Sequence, residues 1–293
     1  MVLVRRVRAW LAVSSALLLL GCAPVPGPAA TDGHSAPQRI VSLSPSATET
    51  LWAIGAGPQV IAVDAQSNHP GDVPTQADLS GYEPNVEAIV RYQPDLVVTA
   101  DAPDYLVSGL KAAGIELLAL PAPATLDDAY AQIEKIGAAT GHAADATESV
   151  SQMRRKISAA VDTAPKTHLS YYHELDPMLF SAGSASFTGQ LYSLFGLVNI
   201  ADSAGGDPYP ELSEEYIVTA NPDLILLADV QCCGTSRTSV ADRAGWADVS
   251  AVRNGHIYEL DADVASRWGP RIVDMVQTIA AVISEVHAVP ARR

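Results

Sequence analysis

The sequence predicts an α/β fold of two similar lobes, each built on a parallel β-sheet. Residues 85–101 (NVEAIVRYQPDLVVTAD) return at 213–229 (SEEYIVTANPDLILLAD) with eight of seventeen positions identical, among them Glu87/Glu215, Pro94/Pro222, Asp95/Asp223 and Asp101/Asp229. A repeat of this kind points to one supersecondary unit used twice. Leu96-Val97-Val98 and Leu224-Ile225-Leu226-Leu227 are continuous apolar runs, the pattern of strands buried on both faces of a parallel sheet. The 293 residues leave room for two domains of ordinary size, although one large domain fits the same length.

Within each repeat copy, Asn85 and Ser213 are placed to cap a short helix. Glu87 and Glu215 fall in its first turn, where the helix dipole favours negative charge, and proline ends it. Upstream, a strand is expected over 39–43. Ser46 and Glu49 follow at capping-box spacing, opening a helix through Leu51, Trp52 and Ile54 that stops at Gly55-Ala56-Gly57. A second strand is expected over 60–63 and a polar loop over 64–74. After the first repeat copy come a helix over 105–113, a strand over 115–120 and a helix over 125–140. The run 144–160 carries Val150, Met153 and Ile157, with Val161 next, at spacings of three and four: one face of a helix about 25 Å long. Such a helix either bridges the lobes as a stiff connector or packs within the first of them. From His168 the alternation begins again, with a strand over 168–172, a turn at Leu175-Asp176-Pro177, a helix over 187–194 and a strand over 198–201. The second repeat copy, a strand over 257–260 and an amphipathic helix over 271–286 complete the chain.

Acidic side chains outnumber basic ones 33 to 18; the net charge of −15 disfavours nucleic acid and offers no attraction to an anionic membrane surface. The first residues read as an export signal: Arg5, Arg6 and Arg8, an apolar core over 9–20, then Leu19-Leu20-Gly21-Cys22. The core is short for a membrane span. The Gly21-Cys22 junction is similar to the bacterial lipoprotein signal, which makes Cys22 a lipidated mature N-terminus on the extracytoplasmic face of the cell membrane. Loss of the three leader arginines takes the net charge from −15 to −18. Residues 23–37, rich in Pro, Ala and Gly, then read as a flexible tether. Cys232 and Cys233 remain; adjacent cysteines outside the cytoplasm close a disulfide, pair with other chains or stay as thiols, and all three stay open here. A zinc site would need more thiols or histidines nearby, so no metal ligands are assigned.

No Walker loop, HExxH or GxSxG is present, and Gly55-Ala56-Gly57 is followed by Pro58 and a strand rather than by a phosphate-binding helix. The loops at the expected strand ends instead hold Ser46, Gln66, Asn68, His69, Tyr82, Asp101, His173, Glu174, Asp176, Arg267 and Trp268. In parallel sheets ligands bind beyond the carboxyl ends of the strands, and aromatic walls with a few oriented polar groups make small-molecule clefts. Trp52 and Trp246 are expected to serve packing.

Six blocks carry a resemblance across nearly all of residues 38–287: RIVSLSPSATETLWAIGAG, the segment 81–95, PAPATLDDAYAQIEKIGAATG, FTGQLYSLFGLVNIAD, ELSEEYIVTANPDLI and WADVSAVRNGHIYEL. Together they resemble the substrate-binding lipoproteins of iron-siderophore and cobalamin ABC importers, the class III periplasmic binding proteins. The resemblance implies a signal peptide over 1–21, a tether over 22–37 and two lobes, 38–142 and 164–293, joined by one long helix over 143–163. It further implies a cleft between the lobes that takes a metal chelate, either a ferric siderophore or cobalamin, with little hinge closure, no catalysis and no cofactor. A monomeric receptor would deliver that chelate to a dimeric permease whose subunits meet Glu87 and Glu215. A receptor for haem or free metal ion, using His69 and His173, is the alternative, and a bilobal α/β enzyme a further one. Tyr82 and Trp268 suit stacking on either chelate, whereas Arg267 and Arg271 either meet an anionic chelate or pair with nearby carboxylates. Cys232-Cys233 and the segment 266–271 stand outside the general family pattern.

Overall fold

Parallel pairing organises the chain, as the continuous apolar runs require. The computed structural model describes residues 35–288; the leader, Cys22 and most of the tether lie outside the described residues. The first half runs β1 (Ile40–Leu43), α1 (Pro45–Ala53), β2 (Val60–Val63), α2 (Val86–Arg91), β3 (Leu96–Thr99), α3 (Asp104–Ala112), β4 (Glu116–Ala119) and α4 (Leu126–Thr140). After α5 (Ala143–Thr163) the second half runs β5 (Ser170–Glu174), α6 (Phe187–Ser193), β6 (Val198–Asn199), α7 (Glu214–Ala220) and β7 (Leu224–Leu227). It ends with α8 (Val230–Cys233), α9 (Arg237–Ala241), α10 (Ser250–Asn254), β8 (Ile257–Glu259), α11 (Ala262–Ser266) and α12 (Ile272–Ala288). Two four-stranded sheets result, ordered β2-β1-β3-β4 and β6-β5-β7-β8, and all their pairings are parallel. The two orders are the same topology, so the sequence repeat is a repeat of structure.

The grammar of that repeat is now physical. Asn85 and Ser213 accept hydrogen bonds from the N–H groups of Ala88 (3.0 Å) and Tyr216 (3.1 Å), capping α2 and α7. Past each helix, Gln93 and Asn221 adopt left-handed backbone (φ 51° and 50°) and swing the chain into Pro-Asp. The aspartates do more than punctuate. Asp95 accepts from the N–H groups of Gln38 (2.8 Å) and Arg39 (3.0 Å), and Asp223 from the N–H (2.9 Å) and hydroxyl (2.8 Å) of Ser170. Each carboxylate therefore pins the entry of the first strand of its sheet to the entry of the strand beside it.

Three expectations are corrected. The Asp223 clamp starts β5 at Ser170 and carries it through Glu174, two residues later than 168–172, so His173 and Glu174 lie in the strand and not in a loop. Ser44 caps α1 by accepting from Ala47 N–H, with Pro45 in the first turn where its fixed φ suits a helix; Ser46 and Glu49 form no capping box and turn to other partners. β6 stops at Asn199, whose side chain accepts from Ala201 N–H (2.9 Å) and winds the chain into a 3-10 turn.

Apolar side chains on the outward face of each sheet pack under the flanking helices: Val41, Val97, Ile89 and Leu106 in one lobe, Tyr172, Ile225, Ile217 and Trp246 in the other. The inner faces share a single core. It runs from Ile40, Leu51 and Ile133 through α5 to Tyr171, Leu224 and Ile279. At 21 residues α5 spans about 31 Å, and its stripe Ala146, Val150, Met153 and Ile157 is buried in this core against α4 and α12. The helix is thus both connector and core element. Burying one aliphatic side chain stabilises by about 1.5–3 kcal/mol, so a core continuous through both lobes resists their separation. Trp246 is fully buried and Trp52 packs at the core's edge, as expected of packing residues. On α8, the adjacent Cys232 and Cys233 are joined as a disulfide.

Candidate ligand cleft

Beyond the carboxyl ends of β1, β2 and β3 a cleft of about 350 Å³ opens, faced from the other lobe by α11 and the start of its link to α12. One wall is made by the residues that follow each strand: Ser44 to Ser46 after β1, Asp64 and Gln66 after β2, Ala100 and Asp101 after β3. Asp263, Ser266, Arg267 and Trp268 make the opposite wall. Gly81 and Tyr82 come from the long loop after β2. The loop lies so close to β1 that a Cβ at position 81 would run into the carbonyl oxygen of Leu43 and sit 3.1 Å from a carboxylate oxygen of Asp64. Glycine is required there by close approach, and its neighbour Tyr82 is left 88% exposed. Asp64 is buried and accepts from Ser67 N–H (2.8 Å); desolvation pushes its carboxyl above the ordinary range, opposed by the Ser67 hydrogen bonds.

A network of charges ties this wall to the other. Glu49, 2% exposed, accepts from Arg267 (Nη1, 2.8 Å) and from Arg271 (Nε, 3.0 Å; Nη2, 2.5 Å). Arg267 also donates to Asp263 (2.6 Å), Asn68 Oδ1 (2.8 Å) and the carbonyl of Gln66 (3.1 Å), while Asn68 Nδ2 donates to Asp263 (2.8 Å). Trp268 N–H donates to Ser46 Oγ (3.1 Å). Buried charges persist only when paired and hydrogen-bonded, and each member of this set is. Arg267 and Arg271 thus pair with carboxylates, and Glu49 serves to fasten residues 263–271 onto α1.

Ser46, Gln66, Tyr82, Asp101, Arg267 and Trp268 all line the cleft. Asn68 stands behind Arg267, and the exposed His69 borders a separate pocket beside Trp52 and Arg271. His173 is wholly buried: its Nδ1 is 2.8 Å from the Tyr192 hydroxyl, and burial pulls its pKa down to about 4. Glu174 is equally buried and takes both arms of Arg243 (2.6 and 2.5 Å), which oppose the upward push of desolvation on its carboxyl. Asp176 closes a turn by accepting from Met178 N–H (2.8 Å). Asp64, Gly81, Asp263 and Ser266 were not singled out from sequence. Asp64, one step past a four-residue apolar strand, carried the same signal that marked Asp101. The others depend on contacts between distant segments.

Residues 40–264 match a family described as periplasmic binding protein. The chain belongs to the periplasmic binding protein family. Among its relatives, an uncharacterised ABC transporter substrate-binding lipoprotein of Bacillus subtilis, YvrC, is 30% identical over 261 residues, covering 84% of this chain and 80% of the relative. A cobalamin-binding protein of Halobacterium salinarum is 30% identical over 257 residues, covering 84% and 69%. Among solved periplasmic binding proteins, the apo form of the haem-binding RhuT of a Roseiflexus species superposes with a TM-score of 0.76 at 24% identity, covering 85% of this chain and 98% of that one. The vitamin B12-binding BtuF of Vibrio cholerae does so with 0.69 at 23%, covering 87% and 99%. At those identities the likeness is one of fold: two parallel-sheet lobes in each.

Proposed function

We propose that this periplasmic binding protein captures a metal chelate outside the cytoplasmic membrane and hands it to the permease of an ABC importer. The observation that carries the reading is the cleft, where two aromatic side chains from opposite walls, Tyr82 and Trp268, flank a floor of oriented polar groups. Stacking faces with few polar contacts suit a bulky ring system better than a small polar solute. A corrinoid is favoured over a ferric siderophore, in keeping with the cobalamin-binding relative from Halobacterium salinarum. The reading as a receptor for haem or free metal loses its two histidines, since His173 is enclosed in β5 and His69 lies outside the cleft. No catalysis is assigned, since the family whose model the chain matches is one of binding proteins.

Lipidation at Cys22 would hold the mature chain at the extracytoplasmic face of the membrane, with 143–163 as the link between lobes 38–142 and 164–293. Glu87 and Glu215, both exposed in the first turns of α2 and α7, would engage the two permease subunits. Titration of the purified protein with cobalamin, read calorimetrically, tests the cleft. Tyr82→Ala and Trp268→Ala are each expected to weaken binding by about 1–3 kcal/mol, the loss of one stacking face. Melting temperature should change little for Tyr82→Ala, whose ring is almost free of contacts. Unchanged affinity in both variants would move the site elsewhere.

A further inference from the structure

We propose that the cleft selects by charge, admitting uncharged and cationic metal chelates and turning away anionic ones; this rests on the chelate-receptor reading above. Among the residues that line the cleft, Arg267 is the one cation. Its guanidinium is not offered to a guest. The side chain is 8% exposed, Nη1 donates to Glu49 and Asn68, and Nη2 donates to Asp263 and to the Gln66 carbonyl. Four Nη protons thus meet four acceptors, and only Nε–H is left over. Arg271, four residues on, is held by both carboxylate oxygens of Glu49. Glu49, Asp263, Arg267 and Arg271 together are neutral.

What remains at the cleft is acidic. Asp101 stands exposed on the rim with no basic partner among the described residues, its Oδ1 accepting only from the N–H of its own neighbour Ala102 (2.8 Å). Asp64 lies deeper, where burial favours its protonated form, so it adds at most negative charge. An anionic chelate entering here would lose hydration, find no free cation and meet at least one uncompensated carboxylate. An uncharged chelate finds the Tyr82 and Trp268 faces, and a cationic one gains Asp101 as well. Arg267 has a fixed task in joining the walls, and that task removes it from recognition.

The test is calorimetric titration of the purified protein with four probes: cyanocobalamin, a cationic ferric trihydroxamate, an anionic ferric triscatecholate and hemin with its two carboxylates. Binding of the anionic probes is expected to be weaker than that of cyanocobalamin by about tenfold or more at low salt, with the gap narrowing at 1 M salt, where the screening length falls to about 3 Å. Asp101→Lys should close the gap in favour of the anions, and Asp101→Asn should do so by less. Anionic probes that bind as tightly as the uncharged one would overturn charge selection and leave the chelate receptor standing. Discrimination that Asp101→Lys leaves intact would assign it to shape and overturn charge as its cause. A folded protein that binds none of the four would overturn the receptor reading together with this inference.

Discussion

Burial gives His173 its character. The ring sits in β5 edge-on to Tyr192, which packs in turn against Tyr171; Nδ1 meets the Tyr192 hydroxyl, and its pKa falls from 6.5 to about 4 through desolvation alone. The sign of the pH dependence follows. Between about pH 6.5 and 4 the unfolded chain binds a proton at this ring that the folded chain refuses, so the contribution to stability is whole above 6.5 and is lost as pH falls towards 4. At 1.36 kcal/mol per unit this amounts to up to about 3 kcal/mol. Urea unfolding at pH 7 and pH 4.5 should show a smaller drop for His173→Phe than for the parent; equal drops would deny the ring any part in acid sensitivity. Glu174 works in the opposite sense, because a carboxyl raised in the fold gains stability on acidification. Expected strand ends pointed to Tyr82 and Asp101, which line the cleft from the loops after β2 and β3, whereas Trp268 lines it from the link between α11 and α12. The same expectation misplaced His173 and Glu174 because a strand displaced by two residues keeps its inside and outside faces while moving its end.

At the scale of the element, the repeated Pro-Asp is the informative feature. Both copies were legible as helix, proline and buried strand from capping residues and apolar runs. The work of the aspartate was not, since it bonds residues 53 to 57 positions upstream. Asp223, half-buried with two donors from Ser170, should matter more than the exposed Asp95. Charge-assisted hydrogen bonds contribute about 1.5–3 kcal/mol when sheltered and less when water competes. Denaturant midpoints are therefore expected to fall more for Asp223→Ala than for Asp95→Ala, with Asp223→Asn in between because its amide oxygen still accepts. A reversed order would mean that β5 is positioned by packing and not by this clamp. The start of α1 differs for a related reason: Ser46 and Glu49 have the right spacing, but Ser44 and Pro45 start the helix two residues earlier, and two arginines some 220 residues away claim Glu49.

At the scale of the whole molecule, two lobes were readable from the repeat, whereas their union through one core was not, because the stripe on α5 shows that it packs and not against what. The duplicated sheets now give the paired glutamates a setting. Glu87 and Glu215 occupy the same place in sheets of identical strand order, each exposed in the first turn of the helix that precedes the third strand. Dipole stabilisation of α2 and α7 would account for about 0.3–1 kcal/mol apiece and requires no partner. A two-subunit permease would instead read the pair as two equivalent handles, one per lobe. The two roles separate experimentally. If docking is the main one, the double variant Glu87→Ala with Glu215→Ala should retain ligand affinity and lose no more than a few degrees of melting temperature, while uptake in cells falls by an order of magnitude or more. Arginine at both positions should be worse than alanine, since a repulsive charge is added where an attractive one was removed. Restoring uptake by placing acidic residues on the permease opposite those arginines would fix the contact. Transport at the parental rate in the double alanine variant would leave both glutamates as helix-start residues and nothing more.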